Sequence, residues 1–224
     1  MRIIFIILFL PAVLLAQNVR VYFGYTGYDL SDQKSQFQEI VTNFSSLLYT
    51  DIPVQENLPY NFMFSASIGL LSNASYEAGL YFSTAKTNAY ALYGDILGNV
   101  DFKSTYNMNS YGGYIQSPLI SSENMTLSAG SGLTLSRYNF EVQGSITYPQ
   151  FPQHNVSSSA SYGGYLLCSE PYVTMDLDLY AGIKLSPRLG YRIGVMVSES
   201  DPMFKDYKVN PNGFLAMLGL AYRW

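Results

Sequence analysis

The chain has 224 residues, so one or two domains are expected. Charged residues make up 12% of it, about half the share usual in soluble proteins, while aromatics reach 16%, with 21 tyrosines. Twelve basic against 16 acidic side chains (net charge −4) leave no basic patch for nucleic acid, and 48% apolar content excludes a disordered chain.

Taken in chain order, residues 1–16 read as a secretory signal. Met1 and Arg2 give a positive start, Ile3 to Leu15 is an unbroken apolar run, and Ala16 offers a small residue before Gln17. The run is too short to span a bilayer as a helix, which takes roughly 20 residues. The mature domain is then 17–224. Its only cysteine, Cys168, allows no internal disulfide, so the fold must hold by hydrogen bonding and packing.

A strand is expected over 18–26. Residues 33–49 follow with helical spacing: Phe37, Ile40, Val41, Phe44, Leu47 and Leu48 fall on one face, opposite Gln38, Glu39, Thr42 and Asn43. Ser31 or Asp32 could cap this helix, and Pro53 follows it. It lies in the first long loop, where it either caps the mouth of the fold or offers a contact surface for a partner or an apolar ligand.

Beyond it the dominant signal is period-two alternation, the period of a strand. Seven more strands are expected over 58–71, 75–87, 100–116, 124–142, 172–185, 189–199 and 212–224. One face of each is apolar: Phe62, Phe64, Ala66, Ile68 and Leu70 near the front, and Leu189, Tyr191, Ile193, Val195 and Val197 later. The other face mixes Gly, Ser, Thr and Asn with a few charges. A soluble sandwich would carry many surface Lys and Glu on its polar face; here they are scarce. Uniform apolar faces are expected where strands meet lipid and the polar face lines a small interior.

Connections alternate in length. Short ones are read at Ser72-Asn73-Ala74, around Pro118 to Glu123, and at Ser186-Pro187-Arg188; long ones at 27–57, 88–99, 143–171 and 200–211. The fold expected is all-β: a closed antiparallel transmembrane barrel of eight strands, with a short amphipathic helix in the first external loop. The matching segments Ser110-Tyr-Gly-Gly-Tyr114 and Ser161-Tyr-Gly-Gly-Tyr165 leave two variants open. Either 157–185 is one long strand with a bulge at Pro171, or the barrel has ten strands.

The chain closes on Leu218, Leu220, Tyr222 and Trp224, alternating and ending on an aromatic. In this the chain resembles the small bacterial outer-membrane barrels of the OmpA/OmpX-like class. That resemblance implies outer-membrane lipid and the barrel-assembly machinery as partners, with these four residues as the assembly signal. A monomer without cofactor or catalysis is expected, with a structural, adhesion or binding role through its external loops toward a ligand or partner not identified.

Glu77, Asp176, Asp178, Lys184, Arg188, Arg192 and Arg223 all fall on the polar face. An eight-stranded barrel is just wide enough for its own side chains to fill. Glu77, Asp176, Asp178, Arg192 and Arg223 are therefore expected to form an internal charge network, with a narrow selective pore as the alternative. His154, the one histidine, has Ser157, Ser158 and Ser159 nearby, but the closest acids are Glu141 and Glu170. A lipid-modifying enzyme is the rival this leaves. A third reading, a secreted soluble carrier, would turn the apolar stripes inward. Asn-x-Ser/Thr triplets at Asn43, Asn73, Asn124 and Asn155 would fit a glycosylated secretory protein.

Overall fold

The computed structural model describes residues 17–48, 51–55, 61–95, 98–199 and 210–223. The expected signal at 1–16, Trp224, and the start of the second expected strand at 58–60 lie outside them. So do the side chains of Leu47 and Leu48.

Among the described residues, nine strands and one long helix follow in chain order: β1 (Asn18–Thr26), α1 (Ser31–Leu48), β2 (Val54–Gln55), β3 (Asn61–Ser72), β4 (Glu77–Gly94), β5 (Asn99–Ser121), β6 (Met125–Thr147), β7 (Val156–Tyr180), β8 (Ile183–Glu199) and β9 (Gly213–Arg223). All but the two-residue β2 form one ring. Each pairs antiparallel with its neighbour in sequence, and β9 returns to pair with β1 over Asn18↔Arg223 to Thr26↔Leu215. The closed ring leaves no edge at the level of β1 and β9, as a hydrocarbon environment demands. It also settles the strand count at eight, against ten.

The facing of the side chains decides between barrel types. Leu80, Ile115, Leu133, Leu135, Leu167, Leu189, Ile193, Leu218 and Leu220 all stand outside and exposed, while Ser65, Ser83, Ser110, Thr134, Ser136, Asp176 and Arg192 are buried inside. The apolar stripes thus face outward. A soluble carrier with an apolar interior is excluded by this arrangement. In β3 the outward row is Phe62, Phe64 and Ala66, and a register shift between Gly69 and Leu71 then hands the exposed position to Leu71 rather than Leu70.

Among the described residues, three turns sit at the end where β1 begins and β9 finishes. In the first, Asn73 Oδ1 accepts from the amides of Ser75 (2.8 Å) and Tyr76 (2.9 Å), closing the bend by a side chain that mimics backbone. The second runs from Ser122 to Met125. The third is Ala181-Gly182, both at positive φ (48° and 82°), the geometry of a tight two-residue hairpin. The turn expected at Ser186-Pro187-Arg188 is therefore misplaced: those residues lie inside β8, with Pro187 facing outward opposite Leu218. Pro171 also lies inside a strand. The β7–β8 ladder skips Glu170 and Pro171 but resumes at Tyr172↔Gly190 in unchanged register, so no bulge sits there.

At the other end the ring is lopsided. β5 and β6 have 23 residues and β7 has 25, against 9 in β1 and 11 in β9. A membrane strand needs roughly 9 to 11. The surplus stands beyond the barrel as a wing of β4, β5, β6 and β7. Long loops were expected at 88–99 and 143–171; most of both is strand instead. The physical reason is a reversal of polarity. Outward positions run Tyr111 and Ile115 within the barrel, then Asn109, Asn107, Lys103 and Asp101 up the wing. On β6 they run Leu133 and Leu135, then Arg137, Asn139, Glu141 and Gln143. Tyr111↔Leu135 and Asn109↔Arg137 are neighbouring rungs, so the apolar band ends along one line. Above that line the wing faces water on its outer side, and its inner side turns apolar.

Candidate functional site

The barrel interior is built on three arginines. Arg20 on β1 donates to both oxygens of Glu77 on β4 (one bond at 3.0 Å), to Asp176 on β7 (3.2 Å) and to Asn18 (2.9 Å). Tyr114 adds a hydrogen bond to Glu77 (2.6 Å), and Ser186 one to Asp176 (2.6 Å). Arg188 on β8 lies between the rings of Tyr22 and Tyr172, 4.1 Å from each centroid, and donates to the Tyr22 hydroxyl at 2.9 Å. Gly219 makes room for this stack, since a Cβ there would collide with the Tyr22 ring. Arg192, fully buried, pairs with Glu170 and donates to Tyr28 and to Ser83 (3.3 Å).

The described interior thus holds three buried guanidiniums and three buried carboxylates, and Tyr22, Tyr106, Tyr138, Met63 and Met108 fill the space between. Unpaired, each charge would cost several kcal/mol inside such a wall; Arg20 and Arg192 are paired with the carboxylates, and Arg188 rests on tyrosine rings and the Tyr22 hydroxyl. The interior reads as a plug.

Of the charges expected in one network, Glu77 and Asp176 meet through Arg20, and Arg192 lies in a separate cluster. Asp178 does not join them. It is half exposed at the turn end and pairs with Lys184 at 3.0 Å. Arg223 is exposed there too, its guanidinium donating to Ser72 (3.3 Å). Arg20 and Glu170 are the members that sequence reasoning missed. The signal for Arg20 was present: Asn18, Arg20 and Tyr22 alternate with Val19, Val21 and Phe23.

Leu218, Leu220 and Tyr222 face outward on β9, the strand that closes the ring against Phe23, Val21 and Val19 of β1.

At the loop end α1 lies inside the wing and over the barrel mouth. Phe37 and Val41 are buried; Ile40 and Phe44 pack partly buried against the same core, Phe44 at 4.8 Å from the Phe102 ring. Gln33 donates to the Tyr162 hydroxyl at 3.4 Å, and that hydroxyl donates to Gln36 at 3.3 Å. The start of the helix is fixed by Asp29 rather than Ser31 or Asp32. Its Oδ1 accepts from the Ser31 amide (3.1 Å), and its Oδ2 from Asn210 (3.3 Å). The Ser31 hydroxyl and amide together hold the Asp29 carboxyl below its usual range. That support is present at neutral pH and is lost as pH falls through the lowered titration of Asp29. Protease sensitivity of the α1 loop should rise at acid pH in the wild type, and Asp29→Ala should show the raised level at every pH.

Between α1 and the wing a cleft of about 200 Å³ remains open, walled by Ile40, Phe44, Phe102, Phe140, Val142 and Ile146, with no charged residue among the described residues of its lining. Replacing Phe37 and Phe44 together with Ser should release α1. The expected result is rapid proteolysis within residues 31–48 while the barrel itself stays folded, since its strands pair without the helix.

His154 ends an exposed 3₁₀ turn, Pro152–His154, with the Phe151 ring 6.3 Å away. Ser157, Ser158 and Ser159 are exposed on β7. Neither acid reaches them: Glu141 accepts from Gln143 (2.7 Å), and Glu170 is inside the barrel with Arg192. Asn73 and Asn155 spend their side chains on loop hydrogen bonds.

The closed ring, the outward apolar band and the polar plug together define a small transmembrane β-barrel of outer-membrane type. No family model and no curated protein matches the chain. Among solved structures it is similar to a major outer-membrane protein of Thermus thermophilus, with 13% identity, 92% of this chain and 99% of that one covered, and a TM-score of 0.49. It is also similar to Neisserial surface protein A (12%; 92% and 96%; TM-score 0.43) and to Ail, the attachment invasion locus protein of Yersinia pestis (12%; 92% and 98%; TM-score 0.38, in complex with the heparin analogue sucrose octasulfate). The assignment to this class rests on the geometry of the chain itself.

Proposed function

We propose that the protein is a non-catalytic barrel of the bacterial outer membrane, exported by its first 16 residues and acting through its loop end as a binding or adhesion element. The observation that carries this is the contrast between the two halves. Within the apolar band the interior is filled by a charge-balanced set of side chains, which supports an anchor over a conduit. Above the band the chain invests its longest strands and its helix in a wing with an open cleft. The barrel-assembly machinery would read Leu218, Leu220, Tyr222 and Trp224 during insertion. The ring closes on itself within one chain, which supports a monomer.

The test is extraction from isolated outer membranes followed by gel electrophoresis with and without boiling. A mobility that shifts on heating, together with cleavage before Gln17, is the expected result. A product that purifies from the aqueous fraction without detergent would overturn the proposal. Deleting Trp224 should lower the assembled fraction and leave signal cleavage intact.

A further inference from the structure

The outward rows just above the apolar band differ around the ring. On the wing side the last apolar rung is Tyr111↔Leu135. From β1 to β6 the next outward row reads Phe23, Phe64, Thr84, Asn109 and Arg137. The row above it reads Tyr25, Phe62, Lys86, Asn107 and Asn139. On β1 and β3 both rows are aromatic: the Phe23 and Phe64 rings lie 5.2 Å apart, and those of Tyr25 and Phe62 meet edge-on at 6.2 Å. From β4 to β6 the same two rows are polar and basic. Aromatic rings gathered at one height mark the boundary between hydrocarbon and headgroups. Lys86 and Arg137 therefore stand at headgroup level.

Both cations are exposed. Among the described residues neither enters an ion pair, and neither row holds a carboxylate. Glu141, one outward place above Asn139, accepts from Gln143 further up the wing. The ground between the two cations is asparagine. Asn107 and Asn139 face each other across β5 and β6, and Asn109 lies beside Arg137. Asparagine is depleted in strands, so three on one face of two strands answer no demand of the sheet. Each carboxamide offers two N–H donors and an acceptor oxygen. Lys86 and Arg137 lie two strands apart and two residues along, roughly 10 Å across by about 7 Å. Long side chains at those corners can converge over the asparagines.

We infer that Lys86, Arg137, Asn107, Asn109 and Asn139 form a site for the anionic, phosphate-bearing headgroup of a membrane glycolipid. The phosphate sits between the ammonium and the guanidinium, whose fork matches its oxygens. The carboxamides take the headgroup hydroxyls beside it. The lipid tails run down over Phe82, Tyr111 and Leu135. The occupant is a lipid because both cations are exposed, so water and salt weaken their hold on a free anion. A phosphate kept at their height by its own tails has a high effective concentration there. This rests on the reading above, that the apolar band lies in an outer membrane.

The experiment uses the refolded full-length barrel in detergent and three probes: a diphosphorylated diglucosamine lipid, the same lipid dephosphorylated, and inorganic phosphate. Native mass spectrometry counts the lipid retained. The phosphorylated lipid should be held, and the dephosphorylated one at least about tenfold more weakly. Lys86→Gln with Arg137→Gln should lower retention of the phosphorylated lipid by a similar factor, and Arg137→Lys alone by less. Lys184→Gln with Arg223→Gln, at the turn end, should leave it unchanged. Millimolar inorganic phosphate should not displace it. Four outcomes would overturn the proposal: no retention by the wild type, equal retention of the dephosphorylated lipid, equal losses from the two pairs of changes, or displacement by inorganic phosphate. Every variant alters exposed side chains and should keep heat-modifiable mobility. Absence of that mobility in the wild type would instead contradict the barrel reading, so the two failures are distinguishable.

Discussion

Glu170→Leu should lower the unfolding free energy of the barrel by about 3–5 kcal/mol, because it leaves Arg192 buried without its carboxylate. Arg192 is fully enclosed, and the hydrogen bonds left to it, to Tyr28 and Ser83, are to neutral groups. The paired change, Glu170→Leu with Arg192→Met, should recover most of the loss, since replacing both charges by apolar groups of similar size is often near neutral. Urea unfolding in detergent, scored by the fraction keeping folded mobility on a gel, separates the two. A single variant within about 1 kcal/mol of wild type would show that Arg192 is solvated and the plug is not dry.

Leu218→Arg should impair insertion by about 2–4 kcal/mol, the cost of a basic side chain on the lipid face near the midplane. Leu218 sits in the outward row of β9 between Phe214 and Tyr222, opposite Phe23 and Pro187. The cost should depend on height. Tyr222→Arg, near the turn end, should cost about 0–1 kcal/mol. Gln143→Arg also points outward, but it stands on the wing above the apolar band and should cost nothing measurable. Folded yield into vesicles of defined lipid measures all three. Equal effects at Leu218 and Gln143 would place the bilayer elsewhere.

The parts of the fold legible in the sequence are those where lipid imposes a rule. Phe214, Leu218, Leu220 and Tyr222, or Leu189, Tyr191, Ile193 and Val195, can be read as strands because every outward position is apolar. The wing obeys no such rule. With Asp101, Lys103, Glu141 and Gln143 outside and Phe102, Phe140 and Val142 inside, its alternation is inverted. By the lipid-facing pattern it resembles loop. The turn at Ala181-Gly182 was hidden for a different reason. Alanine carries no signature of positive φ, whereas Pro187, a few residues on, is a strong turn residue that here occupies an outward strand position.

The candidate site was legible in halves. The apolar face of α1 showed in its spacing, and Phe37, Ile40, Val41 and Phe44 do lie toward the wing. What the helix lies against could not be read, because Phe102, Phe140 and Val142 come from strands whose upper parts looked like loops. Glu170 carries no strand signal in the sequence, because it adjoins Pro171 within the span 143–171 that reads as an external connection. Only pairing with β6 carries it down into the barrel, beside Gly132.

The central claim is that lipid meets the outer face of the ring and stops at the line where polarity inverts. Single tryptophans on the outward row of β6, in a Trp224→Phe background, test it along one strand with packing inside the barrel untouched. In vesicles of brominated lipid, Leu133→Trp and Leu135→Trp should be strongly quenched, while Glu141→Trp and Gln143→Trp should fluoresce as they do without bromine. Equal quenching at all four positions, or none at Leu133 and Leu135, would contradict the account.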